Sequence, residues 1–183
     1  FWDTFRSLFP LLNLVYPSVN AEIQQGLANT ARESGFLPEW ASPGHRGCMV
    51  GNNSASVVAD ALLKGVTPEK EWQTLYEAMM HARTNVHPGV SSTGRLGHEY
   101  YNRLGYIPYD VKINENVART LEYAYDDWCI AQVARKLGKT EDAAALEEAS
   151  RNYRNVFDKT TKLMRGRNEN GEFQSRPRIS LVI

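Results

Sequence analysis

Residues 116–139, NVARTLEYAYDDWCIAQVARKLGK, decide the fold of this chain. The stretch contains no proline and no glycine before Gly138, and good helix formers dominate it. Asn114 or Asn116 is placed to cap the start of a helix, and Gly138 to end it. Its apolar residues recur every three or four positions in two neighbouring rows: Val117, Leu121, Ala124, Trp128 and Ala131, then Leu121, Tyr125, Cys129, Val133 and Leu137. A helix that is apolar over so much of its surface is expected to be enclosed by other helices.

The same helix carries three acidic residues. Glu122 and Asp126 are four positions apart and share a face, which costs about 0.2–0.5 kcal/mol without compensation, and Asp127 lies about 100° further round the helix. Arg119, one turn before Glu122, is expected to neutralise part of this charge. Two interpretations stay open: the acids form buried salt bridges with neighbouring elements, or one of them lies beside a sugar, a water molecule or a cation.

Outward from this helix, the pattern predicts an almost entirely helical chain. An apolar helical stretch over 1–16 is interrupted by Pro10, and Thr140 caps a helix over 141–157. Further helices are predicted over 18–32 with Ser18 as cap, over 53–64, from a Thr67 cap to 83, and over 98–104, with an extended segment at 106–113 and a turn at 168–171.

Two long loops, 35–51 and 85–97, interrupt the helices and are expected to line a site. Helices in consecutive pairs, with no β-α alternation, favour an all-α fold. We predict paired antiparallel helices that form part of an (α/α)6 toroid of the six-hairpin type, in which loops and helix ends surround a pocket.

Composition excludes several classes of function. The 183 residues carry a formal net charge of zero, which argues against a nucleic-acid partner. The sequence contains no run of 18 apolar residues, so no membrane span is predicted. Two cysteines are too few for a disulfide framework, although Cys48 and Cys129 could pair; Cys129 is expected to be a buried apolar residue. The common phosphate-binding, zinc-hydrolase and serine-hydrolase motifs are absent from the sequence.

Neighbouring indoles and carboxylates are the positive signal, because a carboxylate accepts two sugar hydroxyl bonds while an indole stacks on the ring. Three such pairs occur, Trp2–Asp3, Glu39–Trp40 and Asp127–Trp128; the alternative is that each tryptophan belongs to the core. His45 and His87 lie in the two long loops and are weaker candidates. Asn53 or Ser54 is expected to cap the third helix, and residues 52–54 also form a glycosylation sequon.

Six segments together resemble glycoside hydrolase family 92, in the order found in that family. They are FWDTFRSLFPLLNLVYP (1–17), GCMVGNNSASVVADALLKGV (47–66), HEYYNRLGYIP (98–108), ARTLEYAYDDWCIAQVARKLGK (118–139), NYRNVFD (152–158) and LMRGRNENGEF (163–173). The resemblance implies an exo-acting, inverting, Ca²⁺-dependent α-mannosidase that acts on mannose-containing glycans of the N-glycan or mannan type. It also implies a toroid preceded by a β-sandwich, and a periplasmic, cell-surface or secreted location.

The chain departs from the family's pattern after Phe173. The family's general acid lies in a TEGNxW-type segment, and the acidic motifs that build its base and Ca²⁺ sites follow later; this sequence contains none of them. The resemblance therefore implies no catalytic residue and no metal ligand here. It implies Trp2 and Asp3 as substrate-pocket residues. Asp126 and Asp127 also match the family's motif, but we interpret them as structural supports of the pocket.

The expected organisation is a partial catalytic domain over 1–174 and a divergent tail over 175–183. The chain starts at Phe1 and shows no signal peptide, so it is expected to be a fragment that lacks the β-sandwich and the rest of the toroid. We expect little or no hydrolysis by this segment alone, and exposed apolar helix faces. The alternatives to a mannosidase segment are a non-catalytic carbohydrate-binding module and a structural helical module.

Overall fold

The computed structural model describes residues 1–40 and 42–175, and helices dominate this part of the chain. The helices are α1 Leu8–Val15, α2 Pro17–Ser34, α3 Ser54–Leu63, α4 Trp72–Ala82, α5 His98–Leu104, α6 Asn116–Lys136 and α7 Thr140–Ala149, with 3-10 turns at Glu69–Glu71 and Asn152–Val156. Two small antiparallel hairpins complete the secondary structure: β1 Val86–His87 with β2 Val90–Gly94, and β3 Phe157–Asp158 with β4 Leu163–Met164. The predicted all-α class is confirmed.

Helix α6 occupies the centre of the fold, as predicted. It packs against α3, α4, α7 and the second 3-10 turn, and Tyr123, Ile130 and Val133 on different faces are all buried. Gly138 follows it with φ of 73°, a left-handed conformation that favours glycine. The predicted capping by Asn114 or Asn116 is wrong, because Glu115 precedes the helix with φ of 59° and no side-chain cap bond forms.

Two aromatic residues of the predicted apolar rows lie at the surface. Tyr125 and Trp128 are 40% and 49% exposed. Their rings stack with centroids 6.3 Å apart, and the Tyr125 hydroxyl lies 3.2 Å from the Ser56 hydroxyl of α3. The two rows are therefore buried at their small residues and exposed at these rings.

The first two helices differ from the prediction at their N-termini. Pro10 does not break α1, because α1 begins at Leu8 and places Pro10 in the first turn, where an amide hydrogen would have no helical partner. Ser18 is not the cap of α2, because Pro17 already occupies the first helical position.

Buried amides join the first three helices. Asn13 of α1 donates to Asp60 of α3 at 2.7 Å and accepts from Asn20 of α2 at 2.5 Å, and Gln24 donates to Asn20 at 3.3 Å. Since these side chains are bonded to one another and to Asp60 in a buried chain, the bonds fix how the three helices are aligned along their axes.

Other predicted boundaries change for local reasons. Thr67 does not cap α4, because the 3-10 turn Glu69–Glu71 precedes that helix. The helix predicted over 141–157 ends at Ala149, and the following residues form the second 3-10 turn and β3. Thr140 does not cap this helix, because it is already the first helical residue. The loop 85–97 contains the β1–β2 hairpin, and residues 106–113 form bends and turns, without a strand.

Further expectations concern single residues and the tail. Cys48 and Cys129 are both free, and Cys129 is buried as expected, with burial raising its thiol pKa to about 12. Asn52 of the sequon is only 4% exposed, so it is closed to glycosylation in the folded chain. Among the described residues, none of the helices is both long and apolar enough to span a membrane. Residues 176–183 lie outside the described residues, and the predicted boundary at 174 stays a prediction.

Candidate functional site

The N-terminus of α3 receives a buried carboxylate from the long loop 35–51. Glu39, 4% exposed, accepts from the Ser54 hydroxyl at 2.6 Å, from the Ser54 amide at 3.1 Å and from the Asn52 side chain at 3.4 Å. The predicted capping by Asn53 or Ser54 is therefore wrong, because neither side chain caps the helix and Glu39 takes that role from a distant part of the chain. Burial raises the Glu39 pKa to about 7, although the Ser54 bonds oppose the shift.

Arg95 connects the β1–β2 hairpin to this cluster. Its side chain is fully buried and donates to Asn52 at 2.9 Å through Nε and to Asp127 at 2.7 Å through Nη1. Asn52 in turn donates to the Gly94 carbonyl at 3.1 Å. The two long loops and the start of α3 therefore meet at one end of the molecule.

The two adjacent aspartates of α6, Asp126 and Asp127, also belong to this cluster. Asp127 accepts from Arg95, from Arg83 at 2.9 Å and from the Tyr101 hydroxyl at 3.1 Å. The buried-salt-bridge interpretation is confirmed for Asp127. The expected role of Arg119 is wrong, because its side chain turns to the Asn114 carbonyl and to Glu115, and Arg83 and Arg95 provide the charge instead.

Asp126 is less completely paired. Its Oδ2 accepts the Asn52 amide at 2.7 Å, while the buried Oδ1 has no protein partner. Burial raises the Asp126 pKa well above its usual range, and the nearby Arg95 only partly opposes that shift. Asp126 and Glu39 are thus two buried carboxyls, both bonded to Asn52, that favour the protonated form.

Trp2 and Asp3 lie at the same end of the molecule. The half-buried Trp2 indole donates to Glu122 of α6 at 3.1 Å, whereas Asp3 is exposed. Gly51 of the loop approaches the same glutamate so closely that an added Cβ would lie 2.8 Å from the Glu122 Cβ. The site therefore combines an exposed carboxylate, a fixed indole and a buried hydrogen-bonded cluster. We call residues 2–3, 39, 51–54, 95, 122 and 126–127 the loop-end site.

The other two indole–carboxylate pairs separate in the structure. Glu39 is buried while Trp40 is half-buried, and Asp127 is buried while Trp128 is half-exposed on the outside of α6. Only Trp2–Asp3 presents both groups near the surface at the loop-end site.

The candidate histidines form a separate group. The rings of His45 and His87 are 4.6 Å apart, and Phe36 packs edge-on against His87 at 5.5 Å and His81 at 4.7 Å. The structure therefore brings the two loop histidines together beside Phe36.

The acids of the loop-end site do not suit a cation. Within residues 1–40 and 42–175, no three His, Cys, Asp or Glu side chains gather to hold a metal ion. Ca²⁺ takes about six to eight oxygen ligands. Glu39 and Asp127 are occupied here by Ser54, Asn52, Arg95 and Arg83, and Asp126 leaves only its Oδ1 without a protein partner. The residues present thus do not fit Ca²⁺, and no chemical step is assigned to it.

Arg95 was not identified from the sequence as a residue of the site. It lies between Gly94 and Gly97 in a polar loop, where an arginine is ordinarily a solvated surface residue. The available signal was indirect: Asp126 and Asp127 adjoin on a helix that must be buried, and a buried carboxylate requires a cation. Because that cation lies more than 30 positions away in sequence, periodicity could not identify it.

Known proteins resemble the chain over most of its length. Residues 1–180 match the family described as the glycosyl hydrolase family 92 catalytic domain. A secreted, uncharacterised glycosidase of Arthroderma benhamiae is 30% identical over 139 residues, which are 72% of this chain and 18% of that protein.

Solved structures of the same family superpose closely. An inverting family 92 mannosidase from Bacteroides thetaiotaomicron has a TM-score of 0.91 at 46% identity, over 96% of this chain and 24% of the other. A family 92 α-mannosidase from the same bacterium, solved with mannoimidazole, has a TM-score of 0.86 at 37% identity, over 96% and 22%. The chain thus spans about a quarter or less of these relatives.

Proposed function

The chain belongs to glycosyl hydrolase family 92, with helices that form part of its (α/α)6 toroid, and from this membership we propose that it is a segment of an inverting exo-α-mannosidase. The proposed substrates are α-mannosides of the N-glycan or mannan type. Within that enzyme, these residues supply part of the wall that binds the sugar.

One observation carries the proposal: the exposed Asp3 lies next to an indole that is fixed at the loop-end site. An ionised carboxylate accepts hydrogen bonds from two neighbouring hydroxyls of a sugar, and an indole face covers the C–H groups of the ring. We assign these two roles to Asp3 and Trp2.

The proton transfers are assigned to other parts of the enzyme. An inverting glycosidase requires a general acid and a general base about 6.5–9.5 Å apart, both free to exchange protons with substrate or water. Glu39 and Asp127 are instead enclosed and hydrogen-bonded to Ser54 and Arg95, and Glu122 is bonded to Trp2. We therefore propose that this segment alone has little or no hydrolytic activity, and that Ca²⁺ binds to residues elsewhere in the enzyme.

Calorimetric titration with methyl α-mannoside tests the binding role. Wild-type chain should bind the sugar, and Asp3→Asn should weaken binding roughly tenfold, since a hydrogen bond to a charged group contributes about 1.5–3 kcal/mol. Glu141→Gln, which removes an exposed carboxylate from α7, is the control and should bind normally.

Release of mannose from an α-mannoside with Ca²⁺ present tests the catalytic half. Clear turnover by this chain would contradict the proposal that the catalytic acid and base lie outside this segment. Sugar binding without turnover is the expected result, and it is also what a non-catalytic binding module would give; absence of binding by wild type would favour a structural helical module.

The proposed location is outside the cytoplasm, in the periplasm, at the cell surface or secreted. The support is the relative from Arthroderma benhamiae, which is described as secreted. An exported location also suits an enzyme that acts on glycans of the surroundings.

A further inference from the structure

Trp2 is held at three points by two charged side chains. Its indole Nε1 donates to Glu122 at 3.1 Å. The Arg6 guanidinium lies 5.1 Å from the centre of the Trp2 ring, and its Nη1 donates to the Trp2 carbonyl at 2.5 Å. We call Trp2, Arg6 and Glu122 the indole clamp.

The clamp also restrains the residue between its members. Residues 1–5 form a turn in which the amides of Thr4 and Phe5 both donate to the Phe1 carbonyl, at 3.0 and 2.9 Å. Asp3 lies inside this turn, so holding the side chain and carbonyl of Trp2 also restrains the backbone that carries the Asp3 carboxylate.

Stability alone does not account for Glu122. Its side chain is only 16% exposed, and it lies four residues before Asp126, a second carboxylate on the same helix face. A partly buried carboxyl group beside a second one on the same helix face adds little to stability by itself. Its described polar partners are Trp2 at 3.1 Å and Arg6 at 3.8 Å, the two residues on either side of the 3–5 segment.

The loop side of Glu122 is equally closed. Gly51 has φ of 94°, and a Cβ there would lie 2.8 Å from the Glu122 Cβ and 3.3 Å from its Cγ. Glu122 therefore has little room to swing toward the loop, and its carboxylate stays directed at the indole.

From this geometry we infer that Glu122 is a positioning residue for sugar recognition, which fixes the Trp2 indole and, through the turn, the Asp3 carboxylate. This inference rests on the proposed function of Trp2 and Asp3. Glu122 acts through Trp2. Its positioning role depends on both the length and the charge of its side chain.

A spectroscopic measurement tests the clamp without any sugar. In protein labelled with ¹⁵N at its four tryptophans, the Trp2→Phe variant identifies the Trp2 indole N–H signal. Glu122→Gln should move that signal and speed its hydrogen exchange, and Glu122→Ala should speed the exchange roughly tenfold or more. An unchanged Trp2 signal in both variants would overturn the clamp.

Sugar affinity tests the positioning role. Affinity for methyl α-mannoside should fall in the order wild type, Glu122→Gln, Glu122→Asp, because glutamine still accepts from the indole whereas aspartate is one methylene too short. The thermal midpoint of Glu122→Gln should change little, since glutamine still accepts from the indole and only the partly exposed pair with Arg6 is lost. A purely structural glutamate would instead show lower stability and unchanged affinity.

The matched control is Glu115→Gln, just before the same helix, where the glutamate side chain is 61% exposed; it should leave both the Trp2 signal and the affinity unchanged. Failure of wild type to bind sugar would overturn the proposed function and the positioning role together, while the Trp2 signal still decides whether the clamp exists. A moved signal with unchanged affinity would overturn the positioning role alone.

Discussion

Glu39 shows how one buried carboxyl makes the loop-end site sensitive to pH. Its pKa is raised to about 7, first by burial, with the Ser54 hydrogen bonds acting in the opposite direction. An unfolded glutamate titrates near 4.3, so between these values the folded chain binds more protons than the unfolded chain. The free energy of unfolding must therefore fall as pH rises from about 4.5 to about 7.

The expected slope is up to about 1.4 kcal/mol per pH unit for one proton. Glu39→Gln cannot ionise, so its free energy of unfolding should decline less over this range. Urea unfolding at several pH values from 5 to 8 measures both slopes, with Glu141→Gln as the control. Equal slopes for wild type and Glu39→Gln would show that Glu39 is already ionised in the folded chain.

Arg95 illustrates a second effect at the scale of one residue. It is fully buried against Asp127, and removing one member of a buried ion pair leaves the other charge uncompensated. Arg95→Met should lower the free energy of unfolding by about 3–5 kcal/mol, measured by chemical denaturation. Arg103→Met, which breaks the exposed pair with Glu169, should cost less than about 1 kcal/mol; similar losses in the two variants would refute the difference.

At the scale of the element, the β1–β2 hairpin depends on a glycine. Gly94 has φ of 80°, and a Cβ there would lie 2.2 Å from the Asn85 carbonyl oxygen and 2.9 Å from the Val86 Cα. Both contacts are with backbone, so a rotamer change cannot relieve them. The hairpin ends next to Arg95, and its distortion would reach the loop-end site.

Gly94→Ala should therefore destabilise the chain by roughly 1–3 kcal/mol. Gly89→Ala in the same hairpin is the control, because its added Cβ would meet only His87, at an ordinary 3.6 Å. Thermal unfolding compares them, and equal midpoints for the two variants would contradict the expectation.

The elements also show what sequence can predict here. Apolar periodicity and glycine placement correctly identified α5, α6 and their glycine ends, because those signals act within a few residues. The caps of α2, α3 and α4 were wrong, because local Ser, Thr and Asn signals lost to Pro17, to the distant Glu39 and to a 3-10 turn. Neither a partner from another part of the chain nor a short turn before a helix leaves a periodic pattern.

At the scale of the whole molecule, apolar side chains remain exposed on α1 and at its junction with α2. Leu11, Leu14 and Tyr16 are 53%, 73% and 58% exposed, in agreement with the expectation of exposed apolar helix faces. Large apolar side chains exposed so close together in the sequence favour association in water.

The isolated chain should accordingly self-associate as its concentration rises. Leu11→Glu combined with Leu14→Glu should shift it toward the monomer in sedimentation velocity, with an unchanged helical circular dichroism spectrum. Ser18→Glu, at an exposed position of α2, adds charge without removing apolar surface and should associate like wild type. A monomer at every concentration tested would show that the patch does not drive association.

The contacts of Asn52 limit which residues can replace it. Through its backbone amide, its Nδ2 and its Oδ1, this residue reaches Asp126, Glu39 with Gly94, and Arg95. Aspartate would remove the donor and add a negative charge beside Glu39, while glutamine would push the same amide one carbon too far. A randomised codon at this position, selected for folded protein, should return asparagine almost alone.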